Sequence, residues 1–243
     1  MKEERLDLLL VEKGLVSSRE KAKAFITAGQ VLVDHQKIDK PGTRVNSEAQ
    51  LRLIGGLPYV SRGGLKLEGA LKAFGIDLKE RVVMDVGAST GGFTDCALQR
   101  GARKVYAVDV GYGQLAWELR KDPRVVNLER TNIRYLSREA VEEEGVDVIF
   151  IDTSFISIEK FLLHLLEFLK KGGILLGLIK PQFEVGKGEV GKGGVVKDPA
   201  LHQKVIERIT AFSKGLGLSV LGVVESPLRG PKGNKEFFIH LQK

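Results

Sequence analysis

Two apolar segments in the second half of the sequence lead directly to charged side chains. Asp152 ends the run DVIFID, and Lys180 follows the run ILLGLI and precedes Pro181. An apolar strand that carries an ammonium group into a crevice is unfavourable unless that charge is paired, and Asp152 is the obvious partner. Burial cancels much of the energy of an ion pair, so stabilisation alone explains the pair poorly. A lysine held among carboxylates can instead position a hydroxyl group and help to remove its proton.

A glycine-rich segment, DVGASTGGFTD at residues 85–95, follows another apolar run. Gly87, Gly91 and Gly92 allow the backbone to approach a ligand closely, and the helix that follows offers free N–H groups. Asp109 lies near the end of the next apolar run, where its carboxylate could accept both hydroxyl groups of a ribose. The spacing is GxxxGG, not the GxGxxG of dinucleotide-binding proteins, so it favours S-adenosylmethionine over NAD. An ordinary tight turn is the alternative.

One further side chain extends this hypothesis. Asn132 follows the third apolar run and could meet an adenine edge, although a plain turn asparagine explains it equally well. The predicted cofactor-binding residues are Asp85, Gly87, Ala88, Ser89, Gly91, Gly92, Phe93, Asp109, Asn132 and Asp152.

These residues need a sheet to bring them together. From residue 81 onward, near-continuous apolar runs alternate with helical patterns, which predicts an α/β domain with a mostly parallel sheet covered on both faces. One of the predicted helices runs through EKFLLHLLEFLK, residues 159–170. The last two runs, LSVLGVVESP and EFFIHLQ, lack a helix between them, which predicts a hairpin and an antiparallel final strand. Ligands of such sheets bind beyond the carboxyl ends of the strands.

The first 54 residues are predicted to form a separate small domain of two helices and short strands. Ser17 and Glu20 have capping-box spacing, so Ser17 is the predicted N-cap of the second helix. On that helix Arg19 and Lys23 lie one turn apart with Lys21 nearby, which fits either a solvated face or a phosphate-contacting one. Residues 55–60, GGLPYV, are a predicted linker, and residues 61–243 form the larger domain.

Composition narrows the class of protein. The chain has 243 residues and a formal charge of +7, which favours a polyanionic partner. Its one cysteine, Cys96, excludes an internal disulfide and a multi-cysteine zinc site, and no metal is predicted. The first residues lack the apolar segment of a signal peptide, and no apolar run is long enough to span a membrane, so a cytoplasmic location is expected.

The glycine–lysine tract GKGEVGKGG invites a different hypothesis, because Gly186 to Lys192 has the GxxxxGK spacing of a phosphate-binding loop. The next residue is Gly193, not the serine or threonine that binds magnesium, and the next helical pattern starts near Pro199. We therefore expect a mobile loop beside the site, with Lys187 and Lys192 near the phosphates of a polyanionic partner, or simply a flexible surface loop.

The motifs in order resemble the TlyA family, which is also called haemolysin A. Lys66 in SRGGLKL, Asp152, Lys180, and Glu236 in GNKEFF are similar to the Lys–Asp–Lys–Glu tetrad of FtsJ-like ribose 2′-O-methyltransferases. The segment RLDLLLVEKGLVSSREKAKAFITAGQVLVD resembles an S4 RNA-binding domain. Each motif alone is modest, but DVGASTGGFTD, IDTSFISI and LIKPQFEVG complete a match over essentially the whole chain.

This resemblance implies a Rossmann-like class I S-adenosylmethionine-dependent methyltransferase fold, with seven strands, an antiparallel last strand and a small N-terminal α+β S4 domain. It also implies 2′-O-methylation of cytidine in ribosomal RNA of one or both subunits. Lys180 would act at the target hydroxyl, Asp152 and Glu236 would hold and polarise it, and Lys66 would complete the tetrad. The RNA-contacting residues would be Arg5, Arg19, Lys21, Lys23, Arg62, Lys187 and Lys192.

Two other functions stay open at this point. One is an RNA-binding protein whose methyltransferase half is inactive, and the other is a membrane-lytic protein, as the haemolysin name suggests. The oligomeric state, monomer or weak dimer, does not follow from the sequence.

Overall fold

The computed structural model describes residues 3–16, 18–54, 58–186 and 188–243. The chain divides into two compact units, Met1–Arg62 and Gly63–Lys243. The predicted domain bounds, 1–54 and 61–243, stay predictions. Residues 55–57 of the predicted linker, together with Ser17 and Lys187, lie outside the described residues.

The first unit combines two helices with two small antiparallel sheets. Its elements are β1 (Glu3–Arg5), α1 (Leu6–Glu12), α2 (Arg19–Thr27), β2 (Val31–Val33), β3 (Gln36–Ile38), β4 (Arg44–Asn46) and β5 (Leu51–Leu53). β1 pairs with β4, and β2 lies between β3 and β5. Leu6 and Leu10 of α1 pack with Ile26 of α2 and Val31 of β2 in one buried cluster, so α1 and α2 cover the short strands.

The start of α2 differs from the predicted cap by one residue. The N-cap is Ser18, whose side-chain oxygen accepts a hydrogen bond from the backbone N–H of Lys21 at 3.2 Å. With the helix beginning at Arg19, Glu20 stands one position too early for a capping box. The two adjacent serines offer the same chemistry, so only the backbone conformation decides which of them caps the helix.

The second unit is a sheet with helices on both sides. Its elements are α3 (Arg62–Phe74), β6 (Val82–Val86), α4 (Gly92–Gln99), β7 (Lys104–Val108), α5 (Trp117–Lys121), β8 (Val125–Leu128), β9 (Val146–Ile151), α6 (Leu162–Leu165), β10 (Leu169–Ile179), α7 (Pro181–Glu184), α8 (Pro199–Gly215), β11 (Ser219–Glu225) and β12 (Phe237–Gln242).

The described strands of this unit form one seven-stranded sheet in the order β11–β12–β10–β9–β6–β7–β8. β6 to β10 are mutually parallel, whereas β12 runs antiparallel to both β10 and β11. The predicted mostly parallel sheet with an antiparallel last strand is confirmed. The chain order places the switch point between β6 and β9, where ligands of such sheets bind.

One predicted helix is much shorter than expected. In place of a helix over residues 159–170, a single 3-10 turn (Ile158–Lys160) precedes the four-residue α6, and β10 already begins at Leu169. Phe161, Leu165, Phe168 and Leu169 are all at most 2% exposed, whereas Leu163 is 62% exposed. The buried positions keep helical spacing, but the pairing of Leu169 with Val146 of β9 overrides this local preference and ends the helix early.

Candidate functional site

Three neighbouring strands carry charged residues at one edge of the sheet. Asp152 follows β9, Lys180 follows β10, and Glu236 precedes β12. β10 and β12 are antiparallel, with Ile179 opposite Phe237, so the next residues along each chain, Lys180 and Glu236, are neighbours at the same edge. The apolar strands thus bring together residues that are far apart in sequence.

The predicted tetrad forms two ion pairs. Lys180 Nζ lies 2.6 Å from Asp152 Oδ1 and also donates to Ser154 Oγ at 3.1 Å. Lys66 Nζ, on α3, donates to Glu236 Oε2 at 2.6 Å. The side chains of Lys180 and Lys66 are 9% and 11% exposed, and that of Glu236 is fully buried. Both lysines are therefore largely withdrawn from water and neutralised by a carboxylate.

The second carboxylate oxygen of Glu236 lies against bare backbone. A Cβ atom at Gly230 would sit 1.8 Å from Glu236 Oε1, so any side chain at this position would displace the carboxylate. The Oε1 atom itself is buried and accepts no hydrogen bond within the described structure. Gly230 is thus required by the close approach of the acid, not by a turn conformation.

A cavity of about 450 Å³ opens beside Asp152. Among the predicted cofactor-binding residues, its lining contains Gly87, Ser89, Asp109, Asn132 and Asp152. The rest of the lining, which includes Gln114, Thr131, Thr153 and Ile156, was not identified from the sequence, because nothing in the spacing of these residues distinguishes them from ordinary loop residues. The volume lies in the range of small-molecule and cofactor sites.

Backbone amides fix the orientation of Asp109 at the cavity wall. Its Oδ2 accepts from Ser89 N at 2.8 Å, and its Oδ1 accepts from Gly111 N at 2.7 Å. Each carboxylate oxygen has a further lone pair, so the side chain can still accept hydrogen bonds from a ligand. At Gly87, with φ of +90°, a Cβ would lie 2.6 Å from the carbonyl oxygen of Asp152. Only glycine allows this contact between the turn after β6 and the end of β9.

Asp85 is fully buried and does not line the cavity. Its Oδ2 accepts from both Thr94 N (2.9 Å) and Thr94 Oγ1 (2.7 Å), which ties the end of β6 to α4. Burial raises the pKa of Asp85 to about 7; the hydrogen bonds from Thr94 oppose that shift, and the negative charges of Asp152 and Asp109 add to it. The structure therefore gives Asp85 a role in supporting the glycine-rich turn.

The structure does not bring the other predicted cofactor residues to the cavity wall. Ala88, Gly91, Gly92 and Phe93 are absent from its lining. The Phe93 ring packs in the core, 6.1 Å from Phe150 and 6.0 Å from Phe238 between centroids. Gly91 has φ of +94°, and a Cβ there would lie 2.3 Å from Leu119. Helix packing accounts for these residues, and any part they play in binding would be through their backbone.

Asn132 fits both interpretations of its sequence position, a ligand contact and a turn asparagine. It lines the cavity, and its side-chain oxygen accepts from Arg134 N at 3.1 Å, as a capping asparagine does. The amide nitrogen remains available to a ligand within hydrogen-bonding distance.

In the first unit, two predicted RNA-contacting arginines converge on one buried acid. Arg5 Nε donates to Asp7 Oδ1 and Arg19 Nε donates to Asp7 Oδ2, both at 2.9 Å. Asp7 is fully buried, whereas the two arginine side chains are 42% and 44% exposed. The hydrogen bond from Arg5, followed by that from Arg19, holds the pKa of Asp7 below its usual value against the effect of burial. Lys21 and Lys23 are exposed on α2.

The remaining predicted RNA contacts lie in different settings. Arg62 is half-buried at the start of α3, and Lys192 is exposed. Around Lys192 the chain forms a short antiparallel bridge between Gly191 and Val195, and α8 begins only at Pro199. A helix does not begin at Lys192, as a phosphate-binding loop would require, so the tract lacks that architecture.

Asn234 fastens this glycine tract to the segment that carries Glu236. Its Oδ1 accepts from Val196 N at 3.0 Å, and its Nδ2 donates to Gly194 O at 3.0 Å. Asn234 is 3% exposed, so the two segments meet through a buried amide. Apart from its position next to the glycine of GNKEFF, nothing in the sequence around Asn234 indicates this role.

Within the described ranges, no group of three or more potential metal-ligating side chains occurs. In the same part of the chain, no helix has the length and apolar character needed to cross a membrane.

Comparisons with known proteins agree with this architecture. The model of the FtsJ-like methyltransferase family matches residues 59–243, and that of the S4 domain matches residues 4–51. The 16S/23S rRNA (cytidine-2′-O)-methyltransferase TlyA of Mycobacterium tuberculosis is 48% identical, with 98% of this chain and 89% of that protein aligned. Hemolysin A of Brachyspira hyodysenteriae is 39% identical over 97% of this chain and 98% of its own length.

A solved structure of a Streptococcus thermophilus protein superposes with a TM-score of 0.78 at 45% identity, covering all of this chain and 89% of that one. The predicted methyltransferase fold with an N-terminal S4 domain is confirmed. The chain therefore belongs to the TlyA family of FtsJ-like methyltransferases.

Proposed function

We propose that this protein transfers a methyl group from S-adenosylmethionine to the 2′-hydroxyl of a cytidine in ribosomal RNA. The observation that carries the proposal is the two ion pairs, Lys180–Asp152 and Lys66–Glu236, whose lysines are both largely buried at one edge of the sheet. The relative from Mycobacterium tuberculosis, named as an enzyme of this specificity, supports the choice of substrate.

The cavity beside Asp152 fits the cofactor in size and chemistry. Its volume of about 450 Å³ suits a nucleoside-containing molecule. Asp109 would hold the ribose hydroxyls, Asn132 would meet the adenine, and Asp152 would face the positively charged end of the molecule. S-adenosylmethionine, when bound, supplies an electrophilic methyl group carried on a sulfonium.

The tetrad would act on the RNA hydroxyl, which is a poor nucleophile because its pKa is high. Lys180 Nζ, fixed by Asp152 and Ser154, would hold the 2′-oxygen in line with the methyl group. Alignment of this kind supplies much of the acceleration in such transfers. The hydroxyl becomes more acidic as its oxygen gains the methyl group, and the Lys180–Asp152 pair would receive the departing proton.

Lys66 and Glu236 would hold the opposite side of the hydroxyl. Glu236 is fully buried and bound to Lys66, so its carboxylate keeps a fixed place next to Lys180. A side chain without freedom to move costs little reorganisation when the substrate arrives. In the first unit, exposed Lys21 and Lys23 and the half-exposed Arg5 and Arg19 would contact RNA phosphates.

The proposal is tested by incubating the purified protein with ribosomal subunits and S-adenosylmethionine carrying a labelled methyl group. We expect label in ribosomal RNA, at a cytidine whose 2′-O-methylation is mapped by resistance to alkaline hydrolysis. An RNA-binding protein without activity would bind the subunits and leave them unlabelled. Label on a base instead of a ribose would contradict the proposed chemistry.

A further inference from the structure

Asp152 and Lys180 each directly follow the last residue of a strand. Asp152 N still donates to Val86 O at 2.9 Å, but the ladder does not extend over the residues that come after it. β9 ends at Ile151 and β10 at Ile179. After these points the chain continues into two short segments, residues 152–158 after β9 and residues 180–185, which contain α7, after β10. The 2.6 Å distance between Lys180 Nζ and Asp152 Oδ1 therefore depends on how these two segments are held against each other.

The side chain of Glu184 joins the two segments. Glu184 ends α7, four residues after Lys180, and its Oε1 accepts a hydrogen bond from the backbone N–H of Ile158 at 3.0 Å. The side chain is 2% exposed. A buried carboxylate that accepts from a main-chain amide holds the backbone of residues 152–158 directly. The linkage does not depend on a flexible side chain in that segment.

Arg208 of α8 neutralises this buried acid. Arg208 Nη2 donates to Glu184 Oε2 at 2.7 Å, and Arg208 Nη1 donates to the carbonyl oxygen of Glu184 at 2.9 Å. Arg208 Nε also bonds Glu159 Oε1 at 3.0 Å. Burial raises the pKa of the Glu184 carboxyl, while the hydrogen bonds from Ser157 and Ile158 and the charge of Arg208 oppose that shift. The long helix α8 thus anchors the linkage to the body of the unit.

Two more contacts join the same segments. Lys180 Nζ donates to Ser154 Oγ, and the rings of Phe155 and Phe183 lie 4.8 Å apart between centroids. Both contacts involve side chains that are exposed or that take part in the proposed chemistry, so a bound substrate could alter them. The Glu184–Ile158 bond is buried, and neither residue lines the cavity.

We propose that Glu184 is a positioning residue that holds the segments bearing Asp152 and Lys180 in the alignment that methyl transfer requires. It touches neither cofactor nor RNA and acts through the main chain of residues 152–158. This inference rests on the proposed function, because it assigns Glu184 a part in that same reaction. A displacement of about 1 Å in a reacting group can lower a rate about 100-fold, so a linkage of this kind controls turnover more than binding.

The test compares two nearly isosteric variants. Glu184→Gln keeps an oxygen that can accept from Ile158 N, whereas Glu184→Met fills the same volume without an acceptor. We expect Glu184→Met to lower the single-turnover rate about tenfold or more, while the dissociation constants for cofactor and RNA change less than about threefold. Glu184→Gln should stay within about threefold of the wild type. The matched control, Glu159→Gln, removes the other carboxylate on Arg208 and should have wild-type turnover.

Equal rates for the Met and Gln variants would overturn the proposal, as would a loss in cofactor affinity that accounts for the whole effect. If Glu184→Met does not fold, Glu184→Asp replaces it, because the shorter carboxylate keeps its charge near Arg208 but loses its reach to Ile158 N. Near-normal turnover by that variant would equally overturn it. A wild-type protein that leaves ribosomal RNA unlabelled would instead contradict the proposed function and is recognised before any variant is made.

Discussion

Both units pair cations with carboxylates, but the exposure of the cations differs. In the first unit Asp7 is fully buried while Arg5 and Arg19 keep more than 40% of their side chains in solvent. In the second unit the lysines themselves are withdrawn, with Lys180 9% and Lys66 11% exposed. The first arrangement uses one acid to orient two cations toward the surface. The second removes the cations from water, which strengthens their interactions within the site.

The difference indicates distinct uses of positive charge. Exposed guanidinium groups with spare N–H donors suit contact with phosphates, whose effect on affinity is spread over many charges and screened by salt. A buried ammonium held by a carboxylate suits chemistry at one atom, where geometry decides the rate. Changes in the two units should therefore alter different measurements.

The largest effect is expected at the buried lysine. Lys180→Ala removes the group that orients the 2′-oxygen and should lower methyl transfer at least about 100-fold, with cofactor affinity within about threefold of the wild type. Labelled methyl transfer to ribosomal subunits and equilibrium cofactor binding measure the two effects. Lys214→Ala, at an exposed lysine near the end of α8, is the control and should retain activity. Near-normal turnover by Lys180→Ala would refute its catalytic assignment.

A smaller effect, on cofactor binding, is expected at Asp109, the acid that accepts hydrogen bonds from two backbone amides. Asp109→Ala removes the proposed ribose acceptor and should weaken cofactor binding roughly 10- to 100-fold, with RNA affinity unchanged. Calorimetric titration with S-adenosylmethionine measures the change. Asp77→Ala is the matched control, since Asp77 also accepts from a backbone amide, Lys79 N at 3.0 Å, but lies at the surface. Equal affinity in the two variants would place the nucleoside elsewhere.

On the exposed face, the structure favours Lys21 and Lys23 over Arg19 as test positions, because an acid at Arg19 would face the buried Asp7. Lys21→Glu with Lys23→Glu should weaken RNA binding about tenfold at low salt and make it less salt-dependent. The double variant Lys171→Glu and Lys214→Glu makes the same charge change at exposed positions of the second unit. If both double variants bind RNA with the same affinity, α2 does not contact the RNA specifically.

The smallest effect concerns the buried acid of the first unit. Because its folded-state pKa is lowered, Asp7 stabilises the fold above its unfolded pKa, and this contribution is lost as pH falls toward the folded value. Asp7→Asn should cost about 1 kcal/mol at neutral pH, a modest value because its arginine partners are partly exposed. It should also remove part of the loss of stability between about pH 4 and the lower folded pKa.

Urea denaturation from pH 3 to 7 measures both effects, and Glu20→Gln, at an exposed acid of α2, is the control. If the pH dependence of stability is unchanged in Asp7→Asn, the ion pairs of Asp7 with the two arginines do not stabilise the fold.

The sequence predicted the fold more completely than the site. Apolar runs ending in Asp152 and Lys180 predicted both the parallel sheet and the neighbouring charges at its edge, because the carboxyl ends of parallel strands meet at one side. The helix predicted over residues 159–170 is cut short because strand pairing of Leu169 with Val146, a contact distant in sequence, overrides the helical spacing of this segment. Among the glycine-rich residues, spacing could not separate Gly87, which lines the cavity, from Gly91, which packs against Leu119.

The sequence by itself determined the kinds of chemistry available: an acid and a lysine at strand ends, a glycine-rich turn, and basic residues on a short helix. Only the tertiary structure decided their partners. It pairs Lys66 with Glu236, 170 positions away in the sequence. It also brings Arg5 and Arg19 to the buried Asp7, and the carboxylate of Glu184 to the backbone amide of Ile158. Hydrogen bonds depend on distance and direction in space, and residue spacing along the chain determines these only within a single helix or strand.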